Sequence, residues 1–187
     1  MTMEKSFLIL IGSLVIAGFI VFGAWISLKN QIIAMEENVN GKWAQVDNQL
    51  KRRNDLIPNF VSTVKGYAAH EMKAIETITA AREKLAGGNL SQADRMKAEG
   101  EVGAAISRLL VISESNPELK ANANFRALAD ELAGTENRIA VARKDYNDAV
   151  RIFNTKIKQW PGNTLHYEQK PYFEVPEAEK AAPKVEF

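Results

Sequence analysis

The chain has 187 residues, with 24 Lys and Arg against 23 Asp and Glu and a formal charge of +1. That length suits one ordinary domain, and the balanced charge removes the usual ground for expecting a nucleic-acid partner. Cysteine is absent, which excludes disulfides, thiolate metal sites and a lipid-modified cysteine, and two histidines, His70 and His166, are too few for a multi-histidine metal site within one chain.

The first element in chain order is "FLILIGSLVIAGFIVFGAWISL", Phe7 to Leu28, without a single charge. As a helix it covers roughly 33 Å, enough for a hydrocarbon core of about 30 Å. A cleaved signal peptide is the competing reading. The apolar run exceeds the core of such a peptide, and no A-x-A-like cleavage site follows it. A retained transmembrane anchor is therefore expected, with Trp25 as an interfacial aromatic near one end. Lys5 and the α-amino group lie before the span, and Lys29 and Lys42 lie after it, so the charge rule assigns no side.

Past Leu28 the apolar positions Val39, Trp43, Val46, Leu50 and Ile57 recur with a period near 3.5, and no turn cluster intervenes before Leu50. The anchor helix is expected to run straight into a soluble part. Pro58 removes a backbone donor and crowds the preceding turn, which predicts a kink. The stripe then resumes in Val61, Val64, Ala68, Ile75, Ile78 and Leu85. Gly87 and Gly88 end that element, and Ser91 with Asp94 caps the next.

A third helix is expected from about Ser91 to Glu114, weakened by Gly100 and Gly103 or using them for close approach. "SNPEL", 115 to 119, breaks the chain. The last helix, from about Ala121 to Trp160, carries a seam from Phe125 through Leu132, Ile139, Tyr146 and Phe153 to Trp160. A narrow seam held this long favours long helices packed lengthwise. After Pro161 the helical period is lost; Tyr172, Phe173 and Val175 read as an extended segment on the bundle, and 177 to 187 as an ordered or a disordered tail.

Chemistry is hard to find. The phosphate-binding, hydrolase and zinc-protease motifs are missing. His70 and Glu71, adjacent on a helix, do not face a common ligand. The triplet Lys51, Arg52, Arg53 has Asp47 and Asp55 close by, and Asp47 can pair with Lys51 one turn on. Intramolecular pairing is expected there rather than a polyanion-docking patch. Residues 130 to 147 carry a second polar cluster that either pairs with this one, setting helix alignment, or forms an ordinary solvated face.

Several multi-residue motifs resemble the LemA family: "W-x-x-V-D-x-Q-L-K-R-R-N-D-L-I-P-N" from Trp43, "V-K-G-Y-A-A-H-E" from Val64, "P-E-L-K-A-N-A-N-F", "T-E-N-R-I-A-V-A-R-K-D-Y-N-D-A-V" and the final "A-P-K-V-E-F". They occur in order over nearly the whole chain after residue 30. The resemblance implies a bacterial membrane protein with one span, a long-helical domain on the cytoplasmic side and no enzymatic activity. A relative is associated with formation of the magnetosome membrane, which implies a role in membrane organisation. Among the motif positions, Lys51, Arg52, Arg53, Asp55, Asn59, Asn124, Glu136, Asn137, Arg138 and Tyr146 are expected to form an interhelical polar network, with Pro58 at the kink.

The expected fold is all-α: a single transmembrane helix in residues 1–29, a long antiparallel bundle of three to four helices in 30–160, and an extended proline-containing tail in 161–187. The expected function is non-enzymatic: a single-pass protein of the bacterial inner membrane, self-associating as a scaffold that organises or shapes that membrane. It contacts lipid through the span and uses no cofactor, metal or nucleic acid. The alternative is a tethered adaptor that recruits a membrane protease or sensor, offering Tyr172, Phe173 and Val175 as the partner contact.

Overall fold

In the computed structural model, which describes residues 2–65, 72–88, 90–114 and 117–174, an uncharged run and a period-3.5 seam become one helix. Helix α1 spans Thr2–Lys65, 64 residues, with Pro58 inside it and helical structure on both sides of it. Its first part holds the one segment, among the described residues, that is long and apolar enough to cross a membrane, and none of that window is buried against the rest of the protein. Phe7, Ile9, Phe19 and Phe22 all stand in the open. A surface of that extent needs an apolar medium to cover it.

Burial begins where the uncharged run ends. Leu28 and Ile32 are buried in one core cluster with Phe153 and Ile157, so no exposed spacer separates the apolar segment from the bundle. The partner is α5, Ala123–Lys158. Lys42 pairs with Asp145 at 3.2 Å, Arg138 with Gln49 at 3.3 Å, and Phe60 stacks on Phe125 at 5.5 Å between ring centres. Numbers rising on α1 meet numbers falling on α5, so the two helices are antiparallel. The α5 seam is buried at Phe125, Leu132, Thr135, Ile139, Ala142, Tyr146, Ala149, Phe153 and Ile157.

Two further helices form a hairpin against the distal half of this pair. Helix α2 is Met72–Ala86 and α3 is Gln92–Glu114. Gly88, at φ +71°, supplies the left-handed position that terminates α2. Ser91 starts α3, its hydroxyl accepting from the Asp94 amide at 3.1 Å and donating to the Asp94 carboxylate at 2.6 Å. The short α4, Pro117–Ala121, begins on the proline, whose missing N–H costs nothing at a first helical position. Asn122 then caps α5 by accepting from the Phe125 amide at 3.1 Å. Ile57, Phe60, Val64, Ile75, Ile78, Val102, Ile106, Leu109, Leu119, Phe125 and Leu132 share one core. Ala68 and Val175 lie outside the described residues, as do His70, Glu71 and 177 to 187.

The end of α5 differs from the expectation. The seam spacing carries Trp160 as its last member, yet Trp160 is 81% exposed. The helix stops at Lys158, and Gln159 is already extended at ψ 147°, so position 160 no longer follows the helical angle. Beyond the cis Trp160–Pro161 bond a 3-10 turn, Gly162–Leu165, folds the chain back against α1 and α5.

Gly162 is the tightest point of that turn. A Cβ built there would stand 2.2 Å from the Lys156 carbonyl oxygen. Gly162→Ala therefore forces backbone apart, and a loss of about 1–3 kcal/mol is expected, measured by chemical denaturation of the full chain in detergent. A change within about 0.5 kcal/mol, the range of ordinary surface substitutions, would show that the turn is not held as described.

Candidate functional site

The α1 seam steps by 4, 3 and 4 from Val39 to Leu50 and then by seven to Ile57. Arg53 occupies the missing position. Its neighbours along the stripe, Leu50 and Ile57, are buried, and Arg53 itself is 0% exposed. A guanidinium cannot be left bare in such a place, since an unpaired buried charge is far more costly than a paired one. Arg53 Nη2 binds the Glu99 carboxylate at close range and the Glu99 carbonyl at 3.1 Å, and Nη1 binds Glu136 Oε1 at 3.3 Å.

Glu99 is 1% exposed on α3 and Thr135 is 0% exposed on α5, so one polar layer crosses the core at this level. It separates a distal apolar cluster ending at Ile57, Val102 and Leu132 from a proximal one starting at Leu50, Met96 and Ile139. Gly103 makes room for it. A Cβ there would lie 3.3 Å from both Arg53 Nη1 and Glu136 Oε2.

Around this layer the pairing continues outward. Arg52 binds Glu131 at 2.7 Å, and Arg138 binds Glu131 at 3.1 Å and the Thr135 hydroxyl at 2.9 Å. The Arg52 hydrogen bond and charge hold the exposed Glu131 carboxyl below its ordinary value. Asp47 pairs with Lys51 at 3.5 Å one turn away and, at close range, with Arg95 of α3.

Of the residues named from the sequence, Arg52, Arg53, Glu136 and Arg138 come together here. Lys51 points outward, 70% exposed. Asp55, Asn59, Asn124 and Asn137 are exposed and stand outside the interhelical ion pairs. Glu99 was missed, because a lone glutamate on a helix of weak propensity reads as a solvated residue. The seven-residue step in the α1 seam, and the two glycines beside Glu99, were the available signals.

Tyr146 belongs to a different constellation, a clamp on the returning tail. Its hydroxyl donates to the Pro171 carbonyl at 2.9 Å and accepts from Gln92 at 3.4 Å. Burial pushes its ionisation up to about 12, so it stays a donor. Asn154 donates to the Lys170 carbonyl and accepts from the Lys170 amide, both at 2.9 Å. Asn147 does the same with Phe173, at 2.9 and 2.8 Å.

A carboxamide that donates and accepts in this way imitates a neighbouring strand. Two helical turns between the asparagines cover about 10 Å, and so do three extended residues, which is why positions 147 and 154 serve 173 and 170. Phe173, named from the sequence as a partner contact, is 3% exposed, with Arg143 4.1 Å above its ring and Trp43 6.3 Å away. Tyr172, 46% exposed, is the aromatic of this segment that faces outward.

A cavity of about 460 Å³ beside the polar layer is lined by Asn54, Arg82, Leu85, Arg95 and Glu99, among others. Among the described residues no group of three or more acidic or histidine side chains could hold a metal ion. Glu99, which pairs with Arg53, is the member of the layer that also lines this space, together with Arg82 and Arg95.

The arrangement defines a class of protein: all-helical, with an apolar helix of bilayer-spanning length running unbroken into a long-helix bundle. Residues 42–187 match the LemA family, and the chain belongs to it. It is 26% identical over 163 residues to Magnetosome protein MamQ 2 of Paramagnetospirillum magneticum, covering 74% of this chain and 60% of that protein. With Magnetosome protein MamQ of Magnetospirillum gryphiswaldense the identity is 24% over 161 residues, 73% of this chain and 59% of that one. Protein LemA of Metamycoplasma hominis is 23% identical over 154 residues, 82% and 69% of the two chains. The chain thus spans about three fifths of the length of the magnetosome relatives it matches.

Two outcomes follow from the polar layer. Arg53→Met leaves Glu99 buried without its cation and is expected to cost about 3 kcal/mol in denaturation experiments, whereas Arg53→Met with Glu99→Met is expected to cost less than the sum of the single changes. Additive losses would remove direct coupling. The second concerns pH. Burial raises the Glu99 carboxyl above 4.5, outweighing the opposing charges of Arg53, Arg95 and Arg143. A raised folded-state value favours folding below 4.5 and loses that advantage as pH rises through it. Wild type should therefore fall in stability relative to Glu99→Gln as pH rises above about 4.5; a constant difference in parallel urea titrations would contradict the assignment.

Proposed function

We propose that the protein is a non-enzymatic, membrane-tethered helical scaffold that self-associates and organises or shapes the bacterial inner membrane, its bundle on the cytoplasmic side. The observation that carries this reading is the continuity of α1. One helix holds both the apolar segment and the seam that pairs with α5, and Leu28 and Ile32 are already buried in the bundle. A tether with no slack transmits the orientation of the bundle to the bilayer, which a flexible linker would not do.

The charged chemistry supports a structural role as well. Arg53, Glu99 and Glu136 are used up in joining three helices, and such buried pairs are suited to specifying alignment. That two relatives are magnetosome proteins by name supports a role in membrane organisation for this chain also. For lateral contact the outer face of α5 offers Val141, 62% exposed, beside a shallow groove of about 430 Å³ lined by Gln45, Gln49 and Ala142.

Light scattering on the full chain in detergent and in nanodiscs tests the proposal. Assemblies of several chains are expected, and Val141→Arg is expected to reduce them toward monomer with helicity unchanged. A monomer in both media would remove the scaffold. A monomer that co-purifies stoichiometrically with another membrane protein would favour the tethered adaptor in its place.

A further inference from the structure

Among the described residues outside the uncharged run, Trp160 is the most exposed of the large apolar side chains, at 81%, and its place in the fold is specific. The α1–α5 register set by Lys42 with Asp145 and Gln49 with Arg138, carried to the end of α5, puts Trp160 level with residues 25 to 27 of α1. The packing agrees, because Leu28 and Ile32 share a core with Phe153 and Ile157, and Leu165 of the following turn packs there too. The bend at Gln159 and Trp160 is therefore the floor of the bundle and stands where the uncharged run ends.

Two other features mark the same level. Trp25 is 43% exposed on α1, with the Lys29 ammonium 6.0 Å from its ring centre. An aromatic beside a lysine whose charge reaches toward water is the pairing that settles at headgroup depth. Lys156 and Lys158 occupy the last turn of α5. The carboxylate that follows Lys29 along α1 is Glu36, about two turns further from the span, and Lys170 engages it at 2.6 Å. The floor of the bundle therefore combines two indole rings with three lysines, against one exposed carboxylate on the returning tail, Glu168, two residues before Lys170.

We propose that this floor is a second membrane contact, in which Trp160 lies in the headgroup region of an anionic bilayer while Lys29, Lys156 and Lys158 face lipid phosphates. Indole favours that depth because its ring is apolar and its N–H still finds a partner. Lysines near an anionic surface are attracted within a Debye length of it, about 8 Å at physiological salt. With α1 holding one point and Trp160 the other, the bundle is fixed in tilt and rotation over the bilayer. The inference rests on the membrane reading above and deepens it.

The chain has no cysteine, so a single introduced one carries a spin label at a unique position. Full-length Trp160→Cys, Ser13→Cys and Ala127→Cys are reconstituted in phosphatidylcholine vesicles with and without phosphatidylglycerol. Depth is read from accessibility to oxygen against a water-soluble nickel chelate. Ser13 is expected in hydrocarbon, Ala127 in water and position 160 between them, closer to lipid when phosphatidylglycerol is present. Native Trp160, observed alone after Trp25→Phe and Trp43→Phe, should shift its emission to the blue and be quenched by brominated lipid. Lys156→Gln with Lys158→Gln should reduce both effects.

A label at 160 as water-accessible as one at 127, with 13 in lipid, overturns the second contact and leaves the anchor standing. A label at 13 in water overturns both. Equal depth with and without phosphatidylglycerol overturns the role given to the lysines.

Discussion

The antiparallel pairing of α1 with α5 is the constraint from which the rest of the molecule follows. Both helices bury a narrow apolar stripe over many turns, and neither stripe is covered by anything in its own helix. Laid side by side they remove that surface from water along most of the bundle's length, at about 1.5–3 kcal/mol for each fully buried large side chain. The pairing fixes where every other part can sit. The α2–α3 hairpin fills the distal side, and the returning tail lies along α5 beside the proximal part of α1. The end of α5 is set at the foot of the apolar segment.

A continuous seam of apolar residues would leave such a pair free to slide, because one step along the stripe looks much like the next. The polar layer at Arg53 removes that freedom. A buried guanidinium finds its acceptors at one alignment of α1, α3 and α5, and any other leaves charges desolvated without partners. Asn147 and Asn154 act similarly on the tail, since their spacing along α5 suits one placement of residues 170 to 173. Hydrophobic burial supplies most of the driving force, and these few polar contacts choose among otherwise similar packings.

The same economy bears on function. In an enzyme of this size one would look for ionisable groups held apart from their natural partners and aimed into a cleft. Here Arg53 pairs with Glu99 and Glu136 across helices, and Glu131 with Arg52 across helices and with Arg138 along α5, although Arg53 Nε is buried without a hydrogen-bond partner. What the fold holds out to its surroundings is the uncharged length of α1, a lysine-bearing floor with Trp160, and the side of α5 around Val141. The first of these is the membrane span of a LemA-family chain, and the other two are the surfaces that the proposed membrane and self-association contacts would use.

Much of this was legible in the residues. The uncharged run, the seams of α1 and α5, the Gly87–Gly88 stop and the Ser91 cap are local signals, written by the period of a helix and by the chemistry of its ends. Other features depended on residues far apart in the chain. Arg53 was expected in an interhelical network, but nothing local marked it rather than Lys51 or Arg52 as the buried cation until its acceptors on α3 and α5 were in place. Glu99, Asn147 and Asn154 were invisible for the same reason. Phe173 looked available to a partner until Trp43 and Arg143 were found to cover it, and Trp160 followed the seam by count although the helix had ended two residues before it. The sequence by itself determined which segments become helices and which faces must be hidden. The tertiary structure alone decided which polar groups meet inside and which aromatic is left at the bundle's floor, because those outcomes depend on what two distant surfaces exclude from water when they come together.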